Sequence, residues 1–240
     1  MPETRPDRRI NEIVEFLESA TSGKDMIIGV SGGVDSALVY RIASMVDRSR
    51  VRAFFMPDRG TPESDYEDIV SLSKDGPEVK VIPIDPMIHA FTTTLEMNDT
   101  RLIGNVKSRV RMTTLYYYAN LYGGLVLGTT NRSEYMTGYF TKYGDGGCDL
   151  EPIMHLFKKD VRKLASLCKV PDRIIEKAPS ARLWDGQTDE EDMGITYEEL
   201  DAELMRIVSG KGTRNERVEN LYMNSWHKRK PPGNMLERIS

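Results

Sequence analysis

Residues 27–36, Ile-Ile-Gly-Val-Ser-Gly-Gly-Val-Asp-Ser, join an apolar β-branched run to a glycine turn and then to a helical pattern. Met26–Val30 has the composition of a buried parallel strand. Beyond the turn, Val34, Ala37, Leu38, Ile42 and Met45 recur at helical spacing. Strand, glycine turn and helix together aim backbone N–H groups and a helix N-terminus at an anion such as a phosphate. The glycines allow positive φ and close approach of a ligand to the backbone. Asp35 and Ser36 fall in the first helical turn, beside those donors. The turn lacks the Lys-Ser/Thr of a Walker A loop and the spacing of a dinucleotide fingerprint. Where Walker A carries its lysine, this chain carries Asp35. A carboxylate beside phosphates is repelled unless a divalent cation sits between them, which points to Mg²⁺. The alternative is an ordinary strand–helix turn in which Asp35 is a favourable first-turn anion.

The chain of 240 residues is expected to form one α/β domain over 1–240. Its net charge of −4 argues against a general nucleic-acid partner. No stretch approaches the apolar length of a membrane span, and MPETRPDRRINE at the start has no apolar signal region. A cytoplasmic location and no membrane partner are therefore expected. Cys148 and Cys168 show no metal-ligand spacing and are too few for a disulfide framework. The histidines at 89, 155 and 227 are scattered, so no zinc site is expected.

Outward from the turn, Arg8–Ala20 places Ile10, Ile13, Val14 and Leu17 at helical spacing. Val51–Met56 reads as a second strand. Thr61-Pro62-Glu63 reads as an N-cap with proline at the first helical position, opening a helix to about Leu72. Val79–Ile84 is a third strand, with Pro83 marking an exposed end. Asp85-Pro86 opens a helix to about Leu95. This alternation predicts a doubly wound parallel sheet in a three-layer α/β/α arrangement, Rossmann-like in outline. Asn105–Tyr122 is a helix with two apolar stripes: Ile103, Val106, Val110, Tyr117 and Leu121, and Met112, Leu115, Tyr118 and Tyr122. Two stripes need two partners: the sheet for one and, for the other, with Tyr118 expected to face outward, either a second subunit or deeper burial.

Gly124–Gly128 is the next strand. Thr129-Thr130-Asn131 ends it and caps a short helix containing Glu134. Asp35 and Glu134 both lie just past strand ends, where open α/β sheets take their ligands, and they are expected there as solvent-facing residues sharing one metal. Gly138–Asp149 is too glycine-rich for a helix and too long for a routine turn, as functional loops often are. Lys177–Met193 reads either as a loop closing over the site to exclude water or as an acidic surface loop. Tyr197–Val208 and Arg214–Trp226 are the last helices. The run His227–Lys230 ahead of Pro231-Pro232 is too short, in an acidic chain, to imply nucleic acid.

The turn SGGVDS resembles the SGGxDS signature of ATP pyrophosphatases, which cleave ATP between its α- and β-phosphates. The stretch GTTNRSEYMTGYFTKYGDGGCDLEPI at 128–153 is similar to a characteristic block of NAD synthetases. GNVKSRVRM at 104–112, KAPSARLWDGQTDE at 177–190 and HKRKPP at 227–232 agree in the same order. As a set these motifs resemble the ammonia-dependent NAD synthetases. That resemblance implies a homodimeric ligase amidating deamido-NAD through an acyl-adenylate, with ATP as co-substrate, giving NAD, AMP and pyrophosphate. It implies ATP contacts at Gly29, Val30, Ser31, Gly32, Gly33, Val34, Asp35, Ser36, Thr129, Lys158 and Ser180, the last standing where the family often has Thr. It further implies Mg²⁺ on Asp35 and Glu134, deamido-NAD contacts at Arg109, Lys142, Asp149, His227 and Lys228, and catalytic roles for Asp35, Glu134 and Lys158. Taken singly, Arg109, Lys142 and His227 read equally well as solvated surface charges.

Some family members add an amidase domain of a few hundred residues, for which this chain has no room, so ammonia is the expected nitrogen donor. The competing readings are a tRNA-thiolating or GMP-forming ATP pyrophosphatase and an inert ATP sensor. The first lacks its catalytic cysteines, basic surface or extra domain here. The second does not explain both metal carboxylates and the Lys142 loop.

Overall fold

The computed structural model describes residues 7–184 and 186–233. Residues 1–6, part of the amino-terminal stretch read above for targeting signals, lie outside that description, as do Asp185 of the 177–193 loop and residues 234–240. The first half of the chain alternates α1 (Arg8–Thr21), β1 (Met26–Gly29), α2 (Val34–Asp47), β2 (Val51–Phe55), α3 (Glu63–Ser73), β3 (Val79–Val81), α4 (Asp85–Thr94), α5 (Thr100–Tyr122) and β4 (Leu125–Leu127). The strands pair in parallel in the order β3-β2-β1-β4. Side-chain alternation along them feeds two cores. Ile28, Ala53, Phe55 and Leu127 face a layer that holds Ile10, Ile13 and Leu17 of α1 together with α2 and α3. Ile27, Phe54 and Val126 face α4 and α5. Burying each such aliphatic side chain contributes roughly 1.5–3 kcal/mol, which is why the sheet is covered on both faces. Winding runs outward from β1 through β2 to β3 and then restarts at β4 on the other side of β1. This reversal opens a crevice beyond the carboxyl ends of β1 and β4.

The second half follows as α6 (Arg132–Thr137), α7 (Lys158–Leu167), α8 (Asp172–Ile175), α9 (Asp189–Met193), α10 (Tyr197–Val208) and α11 (Glu216–Asn224). α7 packs against α2 in the first layer. A separate apolar cluster of Met136, Phe157, Met193, Tyr197, Leu200, Leu204 and Val218 joins α10 and α11 to α6.

Several boundaries differ from the sequence reading. β3 stops at Val81 instead of Ile84, on an edge where Pro83 has no N–H to pair. α3 begins at Glu63 with Pro62 as N-cap and without a side-chain cap from Thr61. α5 begins at Thr100, where Asp99 accepts from the N–H groups of Arg101 and Leu102. α11 spans Glu216–Asn224 and gives way to a 3₁₀ turn at Trp226–Lys228. The two stripes of α5 are also assigned differently. Tyr118 stacks on Phe54 with ring centroids 4.2 Å apart, so it faces the sheet and is not outward. The outward residues are Leu102, Tyr117 and Leu121, all more than half exposed.

Candidate active site

The turn after β1 is held open by hydroxyls. Ser36 Oγ accepts from the Ser31 N–H at 3.1 Å and donates to the Gly33 carbonyl at 3.1 Å. Gly32 sits at φ +80°, a conformation glycine adopts without strain. Gly33 is the N-cap of α2 and offers no side-chain acceptor, so the N–H groups of the first helical turn stay free for a ligand.

Beside this turn three charged side chains meet. Lys158, the first residue of α7, donates from Nζ to Asp35 Oδ2 at 2.6 Å and to Glu134 Oε1 at 3.1 Å. The backbone fixes each partner. Asn131 caps α6 in a capping box with Glu134, accepting from the Glu134 N–H at 3.0 Å. Its amide also donates to Asp35 Oδ1 at 2.8 Å, tying the β4 turn to the β1 turn. Lys158 N donates to Ser133 Oγ at 3.1 Å, and Ser133 in turn donates to buried Asp201 of α10. Asp35 and Glu134 side chains are only 15% and 16% exposed, and Lys158 is 3% exposed. The two carboxylates are thus largely covered and not solvent-facing, because α10 brings Tyr197 over Glu134, its hydroxyl 3.5 Å from Oε1.

Burial pushes the Glu134 carboxyl well above the ordinary carboxylate range, with Lys158 opposing and Asp35 adding to the rise. Burial also works against the Lys158 charge, but Asp35 and then Glu134 more than offset it and hold the ammonium above the ordinary lysine value. Asp189 enters the same neighbourhood. It accepts from Tyr197 Oη at 3.1 Å, and its own carboxyl is raised, first by burial. A divalent cation fits this donor set. Two hard oxygen ligands already converge on one cationic position, that of Lys158 Nζ, and would suit a divalent cation beside a polyphosphate. No group of three or more His, Cys, Asp or Glu side chains that could hold a metal ion gathers among the described residues.

The crevice is a cavity of about 470 Å³. Its floor is the Gly29–Ser36 turn except Gly32, which does not line it, with Thr129, Glu134 and Lys158 alongside and Ser180 on a strap passing overhead. Lys228 also reaches it, with its ammonium donating to the Gly138 and Phe140 carbonyls at 2.7 and 2.6 Å. Arg109, Lys142, Asp149 and His227 do not line this cavity. Three of them are linked along one edge. Arg109 Nη2 donates to the Lys142 carbonyl at 3.2 Å, and Lys142 Nζ donates to the His227 carbonyl at 2.8 Å. Asp149 stands apart, accepting from the Val126 N–H at 2.8 Å and from Tyr116 Oη at 3.1 Å.

Sequence reading missed Asp145, which lines the cavity and is fixed by Ser108 Oγ at 2.6 Å and the Thr141 N–H at 2.9 Å. It also missed Arg111, which lines the cavity and pairs with buried Asp58 at 3.0 Å. The Gly-Asp-Gly-Gly run pointed toward Asp145. Nothing local pointed to Arg111, Asp189 or Tyr197.

Residues 8–232 match the family model described as NAD synthase. A curated NH(3)-dependent NAD(+) synthetase from Picrophilus torridus is 50% identical over 238 residues, covering 97% of this chain and 96% of the relative. Among solved structures, an NMN synthetase from Francisella tularensis superimposes with a TM-score of 0.87 at 34% identity, covering 97% of this chain and 99% of that one. An NH3-dependent NAD synthetase from Campylobacter jejuni gives 0.83 at 26% identity, covering 96% and 99%.

Proposed function

The chain belongs to the NAD synthase family, and we propose that its cavity joins ammonia to the nicotinate carboxylate of deamido-NAD by way of an adenylate. It is a carbon–nitrogen ligase that uses ATP. The observation that carries the site assignment is the convergence of Asp35 and Glu134 on Lys158 at the edge of the Ser31–Ser36 turn.

A carboxylate does not react with ammonia at neutral pH because its leaving group would be an oxide. In the first step a nicotinate oxygen attacks the α-phosphorus of ATP, the bond to the β-phosphate breaks, and pyrophosphate leaves. In the second, ammonia attacks the acyl carbon and AMP leaves. The free N–H groups at the start of α2 receive the pyrophosphate portion, and Thr129 and Ser180 offer hydroxyls to ATP. Asp35 and Glu134 would hold Mg²⁺, which when bound supplies charge neutralisation at the polyphosphate. Lys158 stays beside them as the protein's own cation. The Arg109–Lys142–His227 edge and Lys228 hold the dinucleotide, the cations matched to its phosphates. Asp149 is exposed and keeps lone pairs for the substrate.

The same reading makes residues 1–240 one synthetase domain, with ammonia taken directly, in a cytoplasmic enzyme. No helix among the described residues is long and apolar enough to cross a membrane. The exposed Leu102, Tyr117 and Leu121 of α5 form a homodimer face. Sedimentation checks it: Tyr117→Glu should shift the protein from dimer to monomer at micromolar concentration, and an unmodified protein that is already monomeric overturns it.

One observation favours a second substrate. The solved structure at 34% identity is an NMN synthetase, whose acid substrate would be nicotinate mononucleotide. The deciding assay supplies ATP, Mg²⁺ and ammonium with either acid, and measures amide and AMP. A much larger kcat/KM for deamido-NAD supports the first reading, and the reverse supports the second.

A further inference from the structure

The strap over the cavity is tied down by an ion cluster that joins it to α3. Asp65 and Asp68, on the buried face of α3, are 2% and 1% exposed. Lys177 Nζ donates to Asp65 Oδ1 at 2.5 Å and also reaches Asp68 Oδ2. Arg173 lies 2.5 Å from the other Asp68 oxygen, and Arg182 lies 3.4 Å from Asp65. Two carboxylates buried this deeply need such partners, since an unpaired buried charge is strongly unfavourable.

The cluster's location gives it a use. Asp65 backs onto the phosphate turn, since a Cβ placed on Gly32 would lie 3.5 Å from the Asp65 Cβ. From Lys177 the strap crosses the cavity to α5, where the Leu183 side chain packs onto Gly104. Its far end is closed by Asp189, which accepts from the Ala181 N–H at 2.9 Å, and by Gln187, which accepts from the Leu183 N–H at 2.8 Å. Ser180 lies between these anchors, and Asp65, Lys177, Ser180 and Arg182 all line the cavity whereas Asp68 does not.

We propose that Lys177 is a positioning residue: by locking onto Asp65 and Asp68 it holds the 178–184 strap over the phosphate turn, setting Ser180 for ATP and keeping water from the adenylate. This rests on the reaction given above and adds a cause for its efficiency. Lys177 lines the cavity, but its ammonium is engaged by Asp65 and Asp68, and through that engagement with α3 it acts on the strap. When the strap is loose, water attacks the acyl carbon of the adenylate, AMP leaves and deamido-NAD is regenerated, so AMP forms without NAD.

The test compares wild type, Lys177→Met, Lys177→Arg, Asp68→Asn and the Lys177→Met/Asp68→Asn pair. The readouts are KM for ATP, KM for deamido-NAD and AMP formed per NAD at limiting ammonium. Wild type should give a ratio near one. Lys177→Met should raise KM for ATP roughly tenfold to a hundredfold, the scale of an ångström-level misplacement, with KM for deamido-NAD unchanged and the AMP ratio raised several-fold. Asp68→Asn should reproduce this pattern although it does not face the cavity, the pair should be no worse than either single change, and Lys177→Arg should largely restore wild-type behaviour. Trypsin should also cut at Arg182 faster in Asp68→Asn than in wild type, a readout independent of the reaction. If Lys177→Met does not fold, Asp68→Asn and Lys177→Arg carry the same comparison. Additive defects, or a normal AMP ratio and ATP KM in Asp68→Asn, overturn the proposal. A wild type that makes no amide product overturns the reaction beneath it, while the trypsin comparison still reads the strap.

Discussion

Replacing Lys158 by Met isolates what the buried cation does, because Met keeps most of the apolar stem while removing the ammonium, which lies 4.9 Å from the Tyr197 ring centroid. The change leaves Asp35 and Glu134 facing each other, at 15% and 16% exposure, without the ammonium that now sits 2.6 and 3.1 Å from them. Removing one partner of a buried ion pair costs about 3–5 kcal/mol. Part of that cost is escaped, since burial already raises the Glu134 carboxyl and it rises further once the lysine is gone. The remaining cost falls on Asp35, which keeps its bond from Asn131. About 3 kcal/mol is therefore expected at pH 7. A carboxyl raised in the folded state stabilises below its unfolded value of 4.5 and loses that contribution as pH climbs through its raised folded value, which lies higher still once Lys158 is gone. The variant should accordingly weaken further toward pH 9. A divalent cation restores the missing charge, and a ligand at a hundred times its Kd adds about 2.7 kcal/mol. The assay is urea unfolding at pH 6, 7.5 and 9 with and without Mg²⁺. A midpoint within about 0.5 kcal/mol of wild type at pH 7.5, on the scale of an ordinary surface change, or no extra response to Mg²⁺, refutes the reasoning.

Asp35→Asn and Glu134→Gln should each reduce pyrophosphate release by roughly 10² to 10³, the scale for losing one preorganised electrostatic group; near-normal turnover at saturating Mg²⁺ argues against the metal assignment. Glu151 is pushed up to about 7 by burial, above an ordinary 4.5, so wild-type stability should fall as pH rises across that interval, by at most about 3 kcal/mol. Glu151→Gln keeps an acceptor for the Thr130 N–H and should flatten that slope in denaturation curves from pH 5 to 8; an unchanged slope contradicts the cause given. The chain alone should use ammonium and not glutamine, because burial holds both thiols as unreactive SH groups, Cys148 far above its ordinary value and Cys168 up to about 11. Its rate at limiting ammonium should climb with pH as free ammonia increases. Glutamine-driven turnover abolished by Cys148→Ser would reverse this.

The parts of the site that were legible in sequence are those written in consecutive residues. The glycine turn, its helix start and the Asn131–Glu134 capping box each follow from local backbone chemistry, and the parallel sheet follows from apolar runs alternating with helical spacing. The parts that were not legible are made by elements meeting across the chain. Lys158 reaches Asp35 over 123 residues, and Lys177 reaches Asp65 over 112. The misassigned faces of α5 have a different origin. Tyr117 and Tyr118 are adjacent, about 100° apart on the helix, and either fits an apolar stripe. Only the stacking of Tyr118 on Phe54 decides which one turns inward.

Lys158 also resolves a conflict that the site's chemistry creates. Binding a metal–polyphosphate complex calls for two carboxylates close together, yet two such groups in a covered crevice repel when no cation is present. The fold answers with a lysine on α7 whose backbone is fixed by Ser133 and, through it, by Asp201 of α10. Glu134 meanwhile spends one oxygen on the Asn131 N–H at 3.3 Å and the other on Lys158, so its orientation is set before any ligand arrives. A cation binding there would meet carboxylates already aimed at one point, and the ordering entropy of its cage would fall on folding and not on binding.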